Sequence, residues 1–128
     1  MGMRGAGHIN YLCEISAPDV SSVLNVGSAH MELLGSREAI AGAKGEILNR
    51  LKSSGCAVLF ADDNLVSNMS KQTSADVISF GQSDKADVRI SNLTLDEQAK
   101  PTFDVSHNGI SKSVTINLVG EHQAFNAA

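Results

Sequence analysis

The sequence predicts an α/β fold: a parallel sheet flanked by helices, followed by a small antiparallel β set. Three observations carry this reading. Two short apolar runs, "SSVLNVG" at 21–27 and "CAVLFA" at 56–61, bracket a stretch with helical periodicity. A third run, "DVISFG" at 76–81, follows after a polar loop. Beyond Gly81 the apolar period drops to two, and an Asn-Gly pair at 108–109 stands where a hairpin would turn. Strand–helix–strand spacing requires a crossover and so parallel neighbours, whereas a two-residue turn joins antiparallel ones.

Each element has a local cause. Pro18 and Asp19 mark the turn into the first strand. Ser36 is the expected N-cap of a helix running from about Arg37 to Ser53, with Glu38 in its first turn and Gly55 as its stop signal. At about 100° per residue, Ile40, Ala43, Ile47, Leu48 and Leu51 share one face, and Lys44 falls among them. "DDNLVSNMSKQT" at 62–73 reads as a loop holding a short helix. Val88, Ile90, Leu93 and Leu95, then Val114, Ile116 and Leu118, supply the alternation of about three antiparallel strands. "GEHQAFNAA" opens as the first turn of a helix and stops before burying a face, as a truncated element would. The expected division is residues 1–84 for the α/β part, 85–119 for the antiparallel strands and 120–128 for the cut helix.

Composition excludes some classes. A chain of 128 residues suits one domain with a real core. Its net charge of −4 argues against a general electrostatic footprint for nucleic acid or an anionic membrane. The longest apolar run, "CAVLFA", is far too short for membrane insertion. No signal-peptide pattern opens the chain, so a cytoplasmic location is the default, with Cys13 and Cys56 as reduced, buried thiols.

Two residues invite a chemical reading, each beside a plainer one. Lys44 on an apolar face can snorkel, its stem covering the core and its amine reaching water. Alternatively, burial lowers its pKa, and a neutral amine can take up carbon dioxide as a carbamate, an oxygen-rich anion able to ligate Mg²⁺. His30 stands three residues beyond the carboxyl end of the predicted 21–27 strand, the edge where open α/β sheets gather ligands, although a lone loop histidine is usually without a role. "ADD" at 61–63 could hold a ribose or a metal, and more often such a pair is an exposed turn. There is no HExxH, no Cys/His zinc spacing, no GxSxG and no GxxxxGK[ST].

Taken together, "MGMRGAGHINYL", "PDVSSVLNVGSAHMELLGSREAIAGAKGEIL", "ADDN", "VISFG" and "GEHQAFNAA" resemble the Mur ligases across essentially the whole chain. The stretch "NVGSAHMELLGSREAIAGAKGEI" is most similar to the members that add D-alanyl-D-alanine to UDP-N-acetylmuramoyl-tripeptide. Members adding earlier amino acids tend to carry an acidic residue where Ala29 stands. The resemblance implies part of the central, ATP-binding domain, a P-loop-type sheet whose phosphate loop would lie upstream of Met1. It also implies a uridine-nucleotide domain before this one and an amino-acid-binding domain after Ala128.

By the same resemblance, His30 is a ligand of a Mg²⁺ near the ATP γ-phosphate, and Lys44 is the lysine that is carbamylated and helps place that metal. Asn126 is an adenine contact. Gln123 stands where its partner is usually Asn, and keeps an amide on a longer stem. Phe60 and His8 depart from the pattern, standing where Asn and Glu are common. The implied activity is ATP-dependent amide formation through an acyl phosphate, lost in an isolated fragment. Two alternatives stand beside it: a folylpolyglutamate synthase-like ligase of the same superfamily, and a nucleotide-binding module without catalysis.

Overall fold

The computed structural model describes residues 2–27 and 31–128. The chain divides into two compact units, Met1–Val77 and Ile78–Ala128. The architecture is mixed α/β, with parallel pairing and helices in the first unit and an antiparallel meander in the second.

In the first unit, α1 (His8–Ile15) precedes β1 (Val20–Val23), α2 (Met31–Leu34), α3 (Arg37–Gly45), β2 (Cys56–Phe60) and α4 (Asn64–Ser67). β1 and β2 are parallel, with Val20 opposite Cys56 and Val23 opposite Leu59. Between them lies α3, the crossover that parallel strands need. Ser36 caps α3 as its position suggests, its side chain accepting the Ala39 N–H at 3.1 Å. Ile40, Ala43 and Leu48 are buried, and they join Leu59, Val66 and Met69 in one core.

Three features depart from the sequence reading. β1 ends at Val23 rather than Gly27, because the peptides of Asn25 and Val26 bond to side chains instead of a strand. The α-helix stops at Gly45 rather than near Ser53. Glu46 and Ile47 keep right-handed dihedrals, but the bonding tightens to i→i+3, with Ile47 N–H to Lys44 O at 3.4 Å. A 3₁₀ turn, Leu48–Arg50, continues the buried face to Leu51. The third departure is α1 itself, where the sequence showed only a glycine-rich lead. Gly7 at its N-cap has no side chain to offer, and the Glu46 carboxylate takes over, accepting Gly7 N–H at 2.6 Å and Asn10 N–H at 3.1 Å. An anion there satisfies donors that a helix start leaves open. Neither cysteine forms a disulfide; Cys13 is buried, but Cys56 is only half-buried, since one face of β2 is incompletely covered.

β3 (Asp76–Gly81) begins in the first unit and ends in the second, where β4 (Val88–Leu95), β5 (Pro101–His107), β6 (Ile110–Thr115) and α5 (His122–Ala127) follow. β4, β5 and β6 form the antiparallel set. The expected hairpin is present: His107 pairs with Ile110, and Asn108 and Gly109 take φ of 50° and 76°. Its two left-handed residues are what a type I′ turn requires. The step from Ile90 to Leu93 breaks strict alternation, and a bulge between Ser91 and Thr94, with Asn92 at φ 52°, absorbs the extra residue. Leu95 and Leu118 are exposed, because each lies at or beyond a strand end. Ala124 of α5 is fully buried against Ile90 and Phe103, so six residues of helix do bury a face here.

Candidate functional site

The turn that follows β1 is built by side chains from α3 and α4. Lys44 sits half-buried on α3, and its Nζ donates to the carbonyl oxygen of Asn25 at 2.6 Å. Burial pulls its pKa down from the ordinary lysine value, while the negative charge of Asp63 pushes in the opposite direction. The amine borders a pocket of about 260 Å³ whose walls include Ser22, Val23, Asn25 and Ile47. Lys44 is therefore neither fully solvated nor sealed in the core. It is an amine held at the edge of a cavity, eased toward its neutral form.

The rest of the turn is held at Val26. Arg37, the first residue of α3, donates from Nε and Nη2 to Val26 O at 3.2 and 2.9 Å. Asp63, the N-cap of α4, accepts Val26 N–H on Oδ2 and Leu65 N–H on Oδ1, each at 2.9 Å. Arg37 Nη2 and Asp63 Oδ2 lie 3.5 Å apart. Asp63 of the "ADD" pair is thus not an exposed turn residue: both oxygens accept backbone N–H groups, one from the turn and one from the start of α4.

Of the residues singled out from sequence, Lys44 lies at this turn and His30 lies outside the described residues. Gln123 and Asn126 are in the second unit, three positions apart on α5, half-buried and exposed respectively. Gln123 Nε2 lies 3.1 Å from Nε2 of His122. Among the described residues, no group of three His, Cys, Asp or Glu side chains is gathered as a metal site. The fit of a Mg²⁺ ligand can therefore be judged at Lys44 alone. A lysine with lowered pKa beside a cavity of that size suits carbamate formation, which starts from the neutral amine.

Sequence reasoning missed the roles of Arg37 and Glu46, and singled out Asp63 only within the "ADD" pair, as a ribose or metal ligand or an exposed turn. Arg37 did carry a signal: a cation in the first turn of a helix opposes the helix dipole, so it calls for a specific partner. Glu46 carried none, because its partner Gly7 lies 39 residues away.

Comparison with known proteins decides the family. The model of the Mur ligase middle domain matches residues 1–128. The chain belongs to the Mur ligase family. Among curated Mur ligases it is 39% identical to the UDP-N-acetylmuramoyl-tripeptide–D-alanyl-D-alanine ligase of Mycobacterium bovis, over 99% of this chain and 25% of the relative. The Bacillus subtilis enzyme of the same name is 33% identical, over 99% of this chain and 26% of its own length. Among solved structures, MurF from Acinetobacter baumannii superposes with a TM-score of 0.90 at 29% identity, covering 99% of this chain and 28% of that one. MurF from Thermotoga maritima, solved in complex with ADP, gives 0.79 at 29% identity, covering 97% and 29%. This Mur ligase chain spans about a quarter of the length of the curated relatives it matches. No helix among its described residues is long and apolar enough to cross a membrane.

Proposed function

We propose that residues 1–128 are part of the central domain of a cytoplasmic, ATP-dependent ligase of peptidoglycan precursor synthesis. The ligase adds D-alanyl-D-alanine to UDP-N-acetylmuramoyl-tripeptide. The observation that carries this reading is Lys44 on α3, with its lowered pKa, at the mouth of a pocket, within the segment whose sequence is most similar to that subfamily. The names of the curated relatives supply the substrates.

The chemistry begins when the tripeptide carboxylate attacks the γ-phosphorus of ATP, giving an acyl phosphate and ADP. The amine of the dipeptide then adds to the acyl carbon, and phosphate leaves with the bonding electrons as the amide forms. Bound Mg²⁺ would offset the charge on the transferring phosphoryl group. The chain's own contribution is placement. Lys44 as its carbamate would offer oxygen donors to the metal, His30 an imidazole nitrogen, and Asn126 and Gln123 their amides to adenine. A net charge of −4 argues against nucleic acid as the partner and is compatible with a nucleotide held by local donors and a metal.

The test is ADP release by the ligase that contains this chain. Release over many turnovers should require tripeptide and dipeptide together, since the acyl phosphate is consumed only by the dipeptide amine. Lys44→Ala should lower it by orders of magnitude with no recovery in bicarbonate. Full activity of that variant overturns the assignment.

A further inference from the structure

We propose that Arg37 and Asp63 are a positioning pair that fixes the Asn25–Val26 turn and so holds the Lys44 amine at its pocket. Its role in catalysis rests on the reading of Lys44 given above; the positioning itself rests on the geometry of the turn.

Val26 is buried, and its backbone lies three residues past the end of β1 at Val23, outside the strand pairing. Unpaired peptide groups at such a place are costly. Among the described residues, two side chains bond to the Val26 backbone: the Asp63 carboxylate accepts the N–H, and the Arg37 guanidinium meets the C=O twice. One planar fork delivering two bonds to one carbonyl fixes its direction, which a lysine in the same place could not do. The 3.5 Å ion pair between Arg37 and Asp63 ties the two halves of the clamp together.

The clamp reaches Lys44 through geometry. Arg37 and Lys44 stand seven positions apart on α3, about two turns, and so project from the same side of the helix. That side grips two successive carbonyls, Val26 through Arg37 and Asn25 through Lys44. Rotating the Val26 peptide would move the Asn25 carbonyl away from Nζ. A cation at the start of α3 opposes the helix dipole, so its two bonds to Val26 must repay that cost.

The experiment uses the ligase that contains this chain, labelled with ¹⁵N and with ¹³C-lysine, as wild type, Arg37→Met, Arg37→Lys and Asp63→Asn. Asp63→Asn retains an oxygen able to cap α4 but cannot accept both backbone N–H groups at once. In Asp63→Asn the Val26 amide, which loses its charged acceptor, should exchange with solvent faster by about tenfold or more. In Arg37→Met it should also exchange faster, because the released Val26 carbonyl loosens the same turn. The Lys44 Cε resonance, assigned by its loss in Lys44→Gln, should move toward the position of solvated lysines. Amides of β2 should keep their wild-type protection, and Arg37→Lys should recover part of both effects. A Lys44 resonance unmoved in both variants overturns the proposal, as does loss of β2 protection in parallel with Val26, which would make the pair a general stabiliser. Uptake of ¹³C-bicarbonate by wild-type Lys44 is a separate readout. Its absence counts against the metal-ligand reading and leaves the clamp standing.

Discussion

The Lys44 ammonium donates at 2.6 Å to the backbone carbonyl of Asn25, nineteen residues earlier in the chain. A side chain that helical periodicity places on an apolar face thus ends on the turn after β1. Its long stem covers core, and its head meets a carbonyl at a cavity edge.

Lys44 should form a carbamate at lower pH than the other lysines of the chain. Burial lowers its pKa, so at any given pH below the ordinary lysine range a larger fraction is neutral, and only the neutral amine reacts. A ¹³C-bicarbonate titration followed by NMR should show one lysine carbamate signal appearing before those of the other lysines, absent from Lys44→Gln. Simultaneous appearance of all lysine carbamates would contradict this.

Asn126→Ala should raise the KM for ATP about tenfold in the ligase that contains this chain, with kcat little changed, as expected for one lost hydrogen bond to a bound base. Asn126 is exposed on α5 while Ala124 anchors the helix, so the fold should tolerate the change. An unchanged KM would remove Asn126 from the nucleotide site.

Asp87 should contribute acid-dependent stability to the second unit. Its carboxylate accepts the Ser79 N–H at 2.8 Å and the Ser79 hydroxyl at 2.6 Å, and these bonds hold its pKa below the usual carboxylate value. A depressed folded-state pKa means that the unfolded chain binds the proton more readily. The stabilisation is therefore complete above the ordinary carboxylate pKa and drains away as pH falls through that value toward the folded one. Asp87 is exposed, so the amount is about 1 kcal/mol after solvent screening. Urea unfolding of Asp87→Asn should show a flatter dependence between pH 5 and pH 2, a range spanning the usual carboxylate titration. An unchanged slope would refute it.

Gly55→Ala should destabilise the chain by about 1–3 kcal/mol, as overpacking does. A methyl there would lie 2.7 Å from Asp19 O and 3.0 Å from Lys52 O. Both oxygens already accept backbone hydrogen bonds, from Cys56 and from Gly55 itself, so neither can withdraw freely. Gly42→Ala is the control: its Cβ meets nothing within 4 Å, and an alanine inside α3 should stabilise by about 0.5–1 kcal/mol. Equal effects of the two substitutions in urea would defeat the steric argument.

The sequence by itself determined what local chemistry controls. Ser36 caps α3 because its hydroxyl needs only the N–H three residues on. Asn108-Gly109 turns the hairpin because those residues tolerate positive φ. Apolar spacing placed β2, β3 and the buried face of α3, and the density of family-like motifs pointed to the family. Tertiary structure decided what depends on distant partners. Glu46 leaves the helical bonding pattern and caps α1 across 39 residues. Arg37 and Asp63, 26 positions apart by their numbers, meet on Val26 and cut β1 short. Periodicity along one helix could place Lys44 on an apolar face, but its partner at Asn25 and its lowered pKa exist only once α3 packs beside the end of β1, where burial removes water and a carbonyl replaces it.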